Sequence, residues 1–178
     1  MKKSDLKFNA FWVFLVLFIV VSAILISCKK DETKETTPET IISSEWKVTS
    51  TWIASTTSTG TGKSTFYFDI DAPDVTQEII DNGTVLVYAK FVADPDGSNQ
   101  VKLLPSIYYN LGGATTQYRF QHSIFLGKIR VICDVIPAGT PSTSNQFRYV
   151  ILPKGKSASS SVNYNDYNAV KSNFGLIN

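Results

Sequence analysis

Residues 115–136 read TTQYRFQHSIFLGKIRVICDVI. Two runs fit extended strands, Thr115 to Phe125 and Lys128 to Ile136, and they meet near Leu126-Gly127, where glycine permits a tight turn. In the second run Ile129, Val131, Cys133 and Val135 recur every two residues, the period that puts side chains on one face of a strand, so this is a core face.

The same period extends in both directions along the chain. Upstream, Trp46, Val48, Ser50 and Trp52 share one predicted face, and Phe66, Phe68 and Ile70 alternate with Tyr67, Asp69 and Asp71 before Pro73. Thr84 to Ala93 and Val101 to Leu104 read as further strands, the latter closed by Pro105. Downstream, FRYVIL (147–152) is the last strong strand and Pro153 stops it. Asp74 to Asp81 fits one or two helical turns, with Asp74 as N-cap and Asn82-Gly83 as a left-handed stop. A second short helix fits residues 165–174, stopped by Gly175. Seven or so short strands with turn clusters between them predict an all-β fold. The favoured form is an antiparallel β-sandwich, immunoglobulin-like or related, with one or two short helices; a small β-barrel is the alternative.

The chain begins MKKSDLKFNAFWVFLVLFIVVSAILISC. Lys2, Lys3 and Lys7 precede an uncharged apolar run of 19 residues from Phe8 to Ile26, a positive n-region followed by an h-region. That length also suits a membrane-spanning helix. Leu25-Ile26-Ser27-Cys28 resembles a bacterial lipobox, with small Ser27 beside the cysteine that is lipidated and cleavage between Ser27 and Cys28. The resemblance implies thioether-linked diacylglycerol on Cys28, and two or more acyl chains make a stable anchor. The sequence therefore divides into a signal peptide at 1–27, a flexible tether at 28–43 and one β-rich domain at 44–178. Under either reading the positive-inside rule places the domain outside the cytoplasm. The tether, KKDETKETTPETIIS from Lys29, carries charges of both signs and no aromatic residue, so it does not bury enough surface to fold.

Without residues 1–27 the chain keeps 14 basic and 14 acidic side chains, a balance that gives no electrostatic case for nucleic acid. Only Cys28 and Cys133 exist, so lipidation of the first leaves the domain without an internal disulfide.

Several motifs invite a chemical reading. GTGKST (60–65) lacks the earlier glycine of a phosphate-binding loop and precedes a strand rather than a helix, so it reads as a hairpin loop. Asp94, Asp96 and Asn99 resemble the start of a calcium loop, but the closing glutamate is missing and calcium takes six to eight oxygens, so a Pro-Asp-Gly turn is preferred. Asp69, Asp71, Asp74, Glu78 and Asp81 are dense in acid, yet no base, nucleophile and orienting group can be named together. Cys133 reads as a core thiol and His122 as a strand surface residue. No cofactor, metal or catalytic set is expected, and the protein does not read as an enzyme. Aromatic side chains leave room for binding. Tyr108 and Tyr109 are adjacent, so an extended backbone sends them to opposite faces, and with Tyr118 they are the candidate ligand-binding aromatics.

DIDAPDVTQEIIDNGTVLVYAKF, KLLP, FRYVILP and YNDYNAVKSNFGL, together with the lipobox and the CKKDE start, resemble small lipoproteins of Bacteroidota envelopes. The resemblance is one of pattern over most of the mature chain and implies no activity. The lysines and acids after Cys28 are similar to the signal that sends lipoproteins of that phylum to the cell surface. It implies a protein lipid-anchored at the outer membrane, with a glycan or an envelope protein as partner, either as a surface binding module or as a periplasm-facing assembly component.

Overall fold

The computed structural model describes residues 40–109, 115–156 and 162–176. The proposed lipidation and cleavage positions Ser27 and Cys28, the apolar run and most of the tether lie outside the described residues.

Among the described residues, strands run in the order β1 (Ile42–Ser43), β2 (Lys47–Val48), β3 (Ile53–Ala54), β4 (Ser64–Asp71), β5 (Thr84–Lys90), β6 (Val101–Leu103), β7 (Ser106–Tyr109), β8 (Gln117–Phe125), β9 (Lys128–Ile136) and β10 (Gln146–Leu152). Helix α1 (Gln77–Asn82) lies between β4 and β5, and α2 (Tyr167–Phe174) follows β10. The first sheet has the order β1-β10-β5-β6, with β2 also on β10, and the second β3-β4-β9-β8-β7. Every pairing is antiparallel. The two sheets keep open edges and do not close into a barrel, so the fold is the sandwich.

The interior follows from the period of two. Ile129, Val131, Cys133 and Val135 of β9 are fully buried, and rings from both sheets meet them. Trp52 lies edge-on to Phe68 at 5.1 Å, Phe68 is 5.2 Å from Phe147, and Phe91 is 4.5 Å from Phe120. The first sheet is buried on its other face too. Leu86, Tyr88, Val150 and Leu152 pack there under Tyr167, Val170 and Leu176 of the C-terminal segment. That is why VLVYA and FRYVIL read as nearly continuous apolar runs rather than alternating ones.

Four expectations need correction. Trp46 and Trp52 do not share a strand face: β2 belongs to the first sheet and β3 to the second, so the chain changes sheet between them. Trp46 packs against Tyr167 at 5.8 Å, Trp52 lies in the interior, and Val48 is exposed. The crossing is pinned by Thr49, whose N–H and hydroxyl both donate to the Asn145 carbonyl. Thr76, not Asp74, caps α1, accepting from the Ile79 N–H. Gly83 is extended rather than left-handed (φ −92°); glycine is needed because a Cβ there would sit 2.9 Å from the Ile79 carbonyl oxygen. The domain starts before Ser44, because Ile42 and Ser43 form β1. Helix α2 matches the expected one, with Asp166 accepting from Asn168 and Ala169 N–H groups and Gly175 left-handed at φ 63°.

Phe147 is fully buried and touches rings from both sheets. Phe147→Ala is expected to destabilise the domain by about 3–5 kcal/mol. Tyr109→Ala, at an exposed edge, should stay within about 0.5 kcal/mol of the parent; denaturant midpoints measure both.

Candidate functional site

Strand β5 stops at Lys90, β9 stops at Ile136 and β8 begins at Gln117 at one end of the sandwich, and there the two sheets part around a pocket of about 240 Å3. Phe91, Val92, Ala93, Tyr118, Phe120, Thr140, Ser142 and Asn145 line it. Phe91 and Phe120 are almost wholly buried and form the floor. Tyr118 lies nearly parallel to Phe120, 12° apart with centroids at 6.4 Å.

The rim is held from several directions. Asn145 is 4% exposed; its Oδ1 accepts from the Val92 N–H at 3.2 Å while its carbonyl holds Thr49. Trp52 Nε1 donates to the Ser142 carbonyl at 3.0 Å, tying the loop after β9 to the core. Gly139, at φ 149°, brings that loop close to β9: a Cβ there would stand 3.1 Å from Val135 Cγ1. An aromatic floor with a hydroxyl and amide rim fits a single ring that has an apolar face and polar edges. Below the roughly 300 Å3 at which ordinary small-molecule sites begin, it holds little more than one such ring.

The three tyrosines separate. Tyr108 is buried under Phe91 at 4.7 Å, and its hydroxyl donates to Asp94 Oδ2 at 2.7 Å, so it is structural; burial raises its pKa, and the Asp94 carboxylate raises it further. Tyr109 points the other way and is 66% exposed on edge strand β7. Only Tyr118 lines the pocket. Sequence reading missed Phe91, Phe120 and Asn145. Phe120 lies in β8 and Phe91 directly follows β5, and an apolar ring at either position reads as buried without showing that it borders an opening. Asn145 is pinned by a partner 96 residues away, which no local pattern marks.

The carboxylates of the calcium-like loop are engaged by protein groups. Asp94 Oδ1 accepts from the Asp96 N–H, Oδ2 accepts from Tyr108, and the Lys102 ammonium bonds Asp96 and approaches Asp94 at 3.9 Å. A lysine thus fills the cationic role, with its pKa raised by the Asp96 hydrogen bond; Asn99 takes a left-handed turn position at φ 67°. No group of three or more His, Cys, Asp or Glu among the described residues could hold a metal. Gly60 and Lys63 bridge a hairpin, and Lys63 pairs with Asp134 at 3.3 Å. Asp69 binds Arg130 through both carboxylate oxygens, which holds its pKa below the usual range.

Cys133 faces the core, and burial pushes its thiol pKa up. His122 is not a surface residue. The β8 register turns it inward with Tyr118, Phe120 and Ile124, and its Nδ1 is buried without a hydrogen-bond partner. Burial lowers its pKa.

No protein family matches the chain, and neither a curated protein nor a solved structure matches it. Among the described residues no helix is long and apolar enough to cross a membrane.

Two outcomes follow from these environments. Because burial lowers the His122 pKa in the folded chain, the unfolded chain binds more protons between that lowered value and the ordinary one near 6.5; stability is complete above the ordinary value and falls as pH drops below it. His122→Gln should flatten this part of a stability–pH curve, and an unchanged slope would refute the assignment. Asp94→Ala leaves the Tyr108 hydroxyl buried without its acceptor and should cost about 1–3 kcal/mol in urea unfolding; calcium and chelator should leave the melting temperature where it was.

Proposed function

We propose that this is a lipid-anchored protein of the cell envelope, exposed on the outer face of the outer membrane, whose β-sandwich captures a ligand without chemically changing it. The observation that carries the reading is the position of the aromatic-floored pocket. Ile42 pairs with Ile151 near the end of β10, whereas the pocket opens beyond Gln146, where β10 begins. Five strand residues separate those levels, about 17 Å at 3.4 Å per residue. The described chain therefore enters the sandwich through β1 at the end away from the pocket, and this supports a pocket directed away from an N-terminal anchor.

The lining supports binding rather than turnover. Its side chains are aromatic, aliphatic, hydroxyl and amide, without a carboxylate, imidazole or thiol for proton transfer or attack. The ligand class that fits is a glycan presenting one ring at a time, with Tyr118 against its face and Thr140, Ser142 and Asn145 toward its hydroxyls.

A second reading, an assembly component facing the periplasm, draws on β7. This edge strand pairs only with β8 among the described residues and exposes Ile107 and Tyr109, a surface that an extended segment of an envelope protein would extend by strand addition.

Metabolic labelling with a radioactive fatty acid should mark the parent and not Cys28→Ala, and protease should shave the domain from intact cells. Labelled but protected protein would favour the assembly component. Failure to label would remove the anchor from both readings. On an array of envelope and host glycans, full-length protein should bind at least one polysaccharide. Tyr118→Ala should weaken that binding about tenfold or more, roughly 1.4 kcal/mol, and Tyr109→Ala should not. Binding indifferent to Tyr118 would sink the pocket assignment.

A further inference from the structure

The opposite end of the sandwich carries an apolar feature that the pocket does not use. The β8–β9 turn exposes Phe125 (44%) and Leu126 (63%) side by side. The turn is braced from behind, because the Ala72 N–H donates to the Gly127 carbonyl and the Gly127 N–H donates to the Val75 carbonyl, each at 2.9 Å. The two side chains are therefore presented by a fixed backbone. Lys128 Nζ lies 5.3 Å from the Phe125 ring and the Arg130 guanidinium 5.7 Å. Apolar tips with basic groups set back from them are suited to a water–lipid boundary.

Topology puts this tip at the end where the chain enters the domain. Helix α1 joins the end of β4 to the start of β5, Asp71 pairs with Lys128 beside the turn, and Thr84 pairs with Leu152, next to the β1 partner Ile151. The described chain thus enters the sandwich through β1 at this same end. Lys128 and Arg130 are both paired with Asp69, and Lys154 and Lys156 are offset there by Asp71, Asp74, Glu78 and Asp81, so attraction to charged headgroups is weak and contact rests on the apolar pair.

We infer that the Phe125–Leu126 turn is a membrane-contact site that enters the lipid interface and seats the domain with its pocket facing away. The inference rests on the lipid-anchor reading. The attachment is what names a bilayer as occupant: the 12 residues from Cys28 to Glu39 reach at most about 43 Å even at full extension, so the tip stays near any membrane that holds Cys28. Two side chains suffice under that tether, although they would not hold a free domain.

The test uses full-length lipidated protein in phosphatidylethanolamine–phosphatidylglycerol vesicles. Leu126→Cys and, at the pocket end, Val92→Cys are each labelled with an environment-sensitive thiol dye. Cys133 is fully buried, and Cys28 carries the lipid, so the dye reports the introduced position. Lipids with a quencher on the acyl chain should remove about half of the fluorescence at 126 and little at 92, as expected for a group seated at the acyl boundary. Phe125→Ser should reduce the quenching at 126, while raised salt should leave it unchanged. A chain that floats with the vesicles but is unquenched at 126, or equally quenched at 92, overturns the contact and leaves the anchor standing. A chain that does not float overturns the anchor and the contact with it.

Discussion

Strand β10 has to be apolar on both faces. Phe147, Tyr149 and Ile151 enter the space between the sheets, while Val150 and Leu152 face the layer built by α2. Arg148, 2% exposed on that second side, is accommodated by donating to the Tyr167 and Ser43 hydroxyls. The first and last described elements therefore close over the same strand, β1 along its edge and α2 across its face. Removing a ring from β10 disturbs the inner core, whereas removing the C-terminal segment would expose Tyr88, Val150 and Leu152 to water. The three layers are coupled through one strand with no disulfide among the described residues, where Cys133 is a free buried thiol.

What could be read from the sequence follows how each strand is buried. Strand β9 borders water on one side, so its alternation was plain, and helix α2 was visible in its glycine stop. The two-residue strands β1, β2 and β3 are too short to show any period. Their pairing partners decide where they go, which is why Trp46 and Trp52 looked like neighbours on one face and lie in different layers. His122 was misplaced for a related reason. A single polar residue in a strand gives no sign of its face until register is known, and register here comes from pairing with β9.

The pocket was less legible than the fold because its parts come from four separate stretches. Tyr118 could be nominated as an aromatic, but a buried Tyr108 and an exposed Tyr109 look the same in a sequence until the strand is oriented. The calcium-like residues show the converse. Asp94, Asp96 and Asn99 have the spacing of ligands, yet Tyr108 and Lys102 take up the carboxylates, and those partners lie 14 and 6 residues away in the chain. Spacing reports which groups are near one another; it does not report what already satisfies them.

The size of the pocket bears on how capture would work on the proposed reading. A cavity of about 240 Å3 seats one ring, and a ligand of roughly ten heavy atoms offers limited binding free energy even at good efficiency. Its braced rim reduces the ordering cost without enlarging the contact. Useful capture of a polymer then depends on many copies meeting many repeats of the same ligand. A lipid anchor supplies that condition, because it holds copies in one plane, and a short tether keeps successive binding events nearly intramolecular. On the proposed reading the weak site and the lipid belong to one mechanism: the domain provides the selectivity for a ring with polar edges, and the membrane provides the affinity.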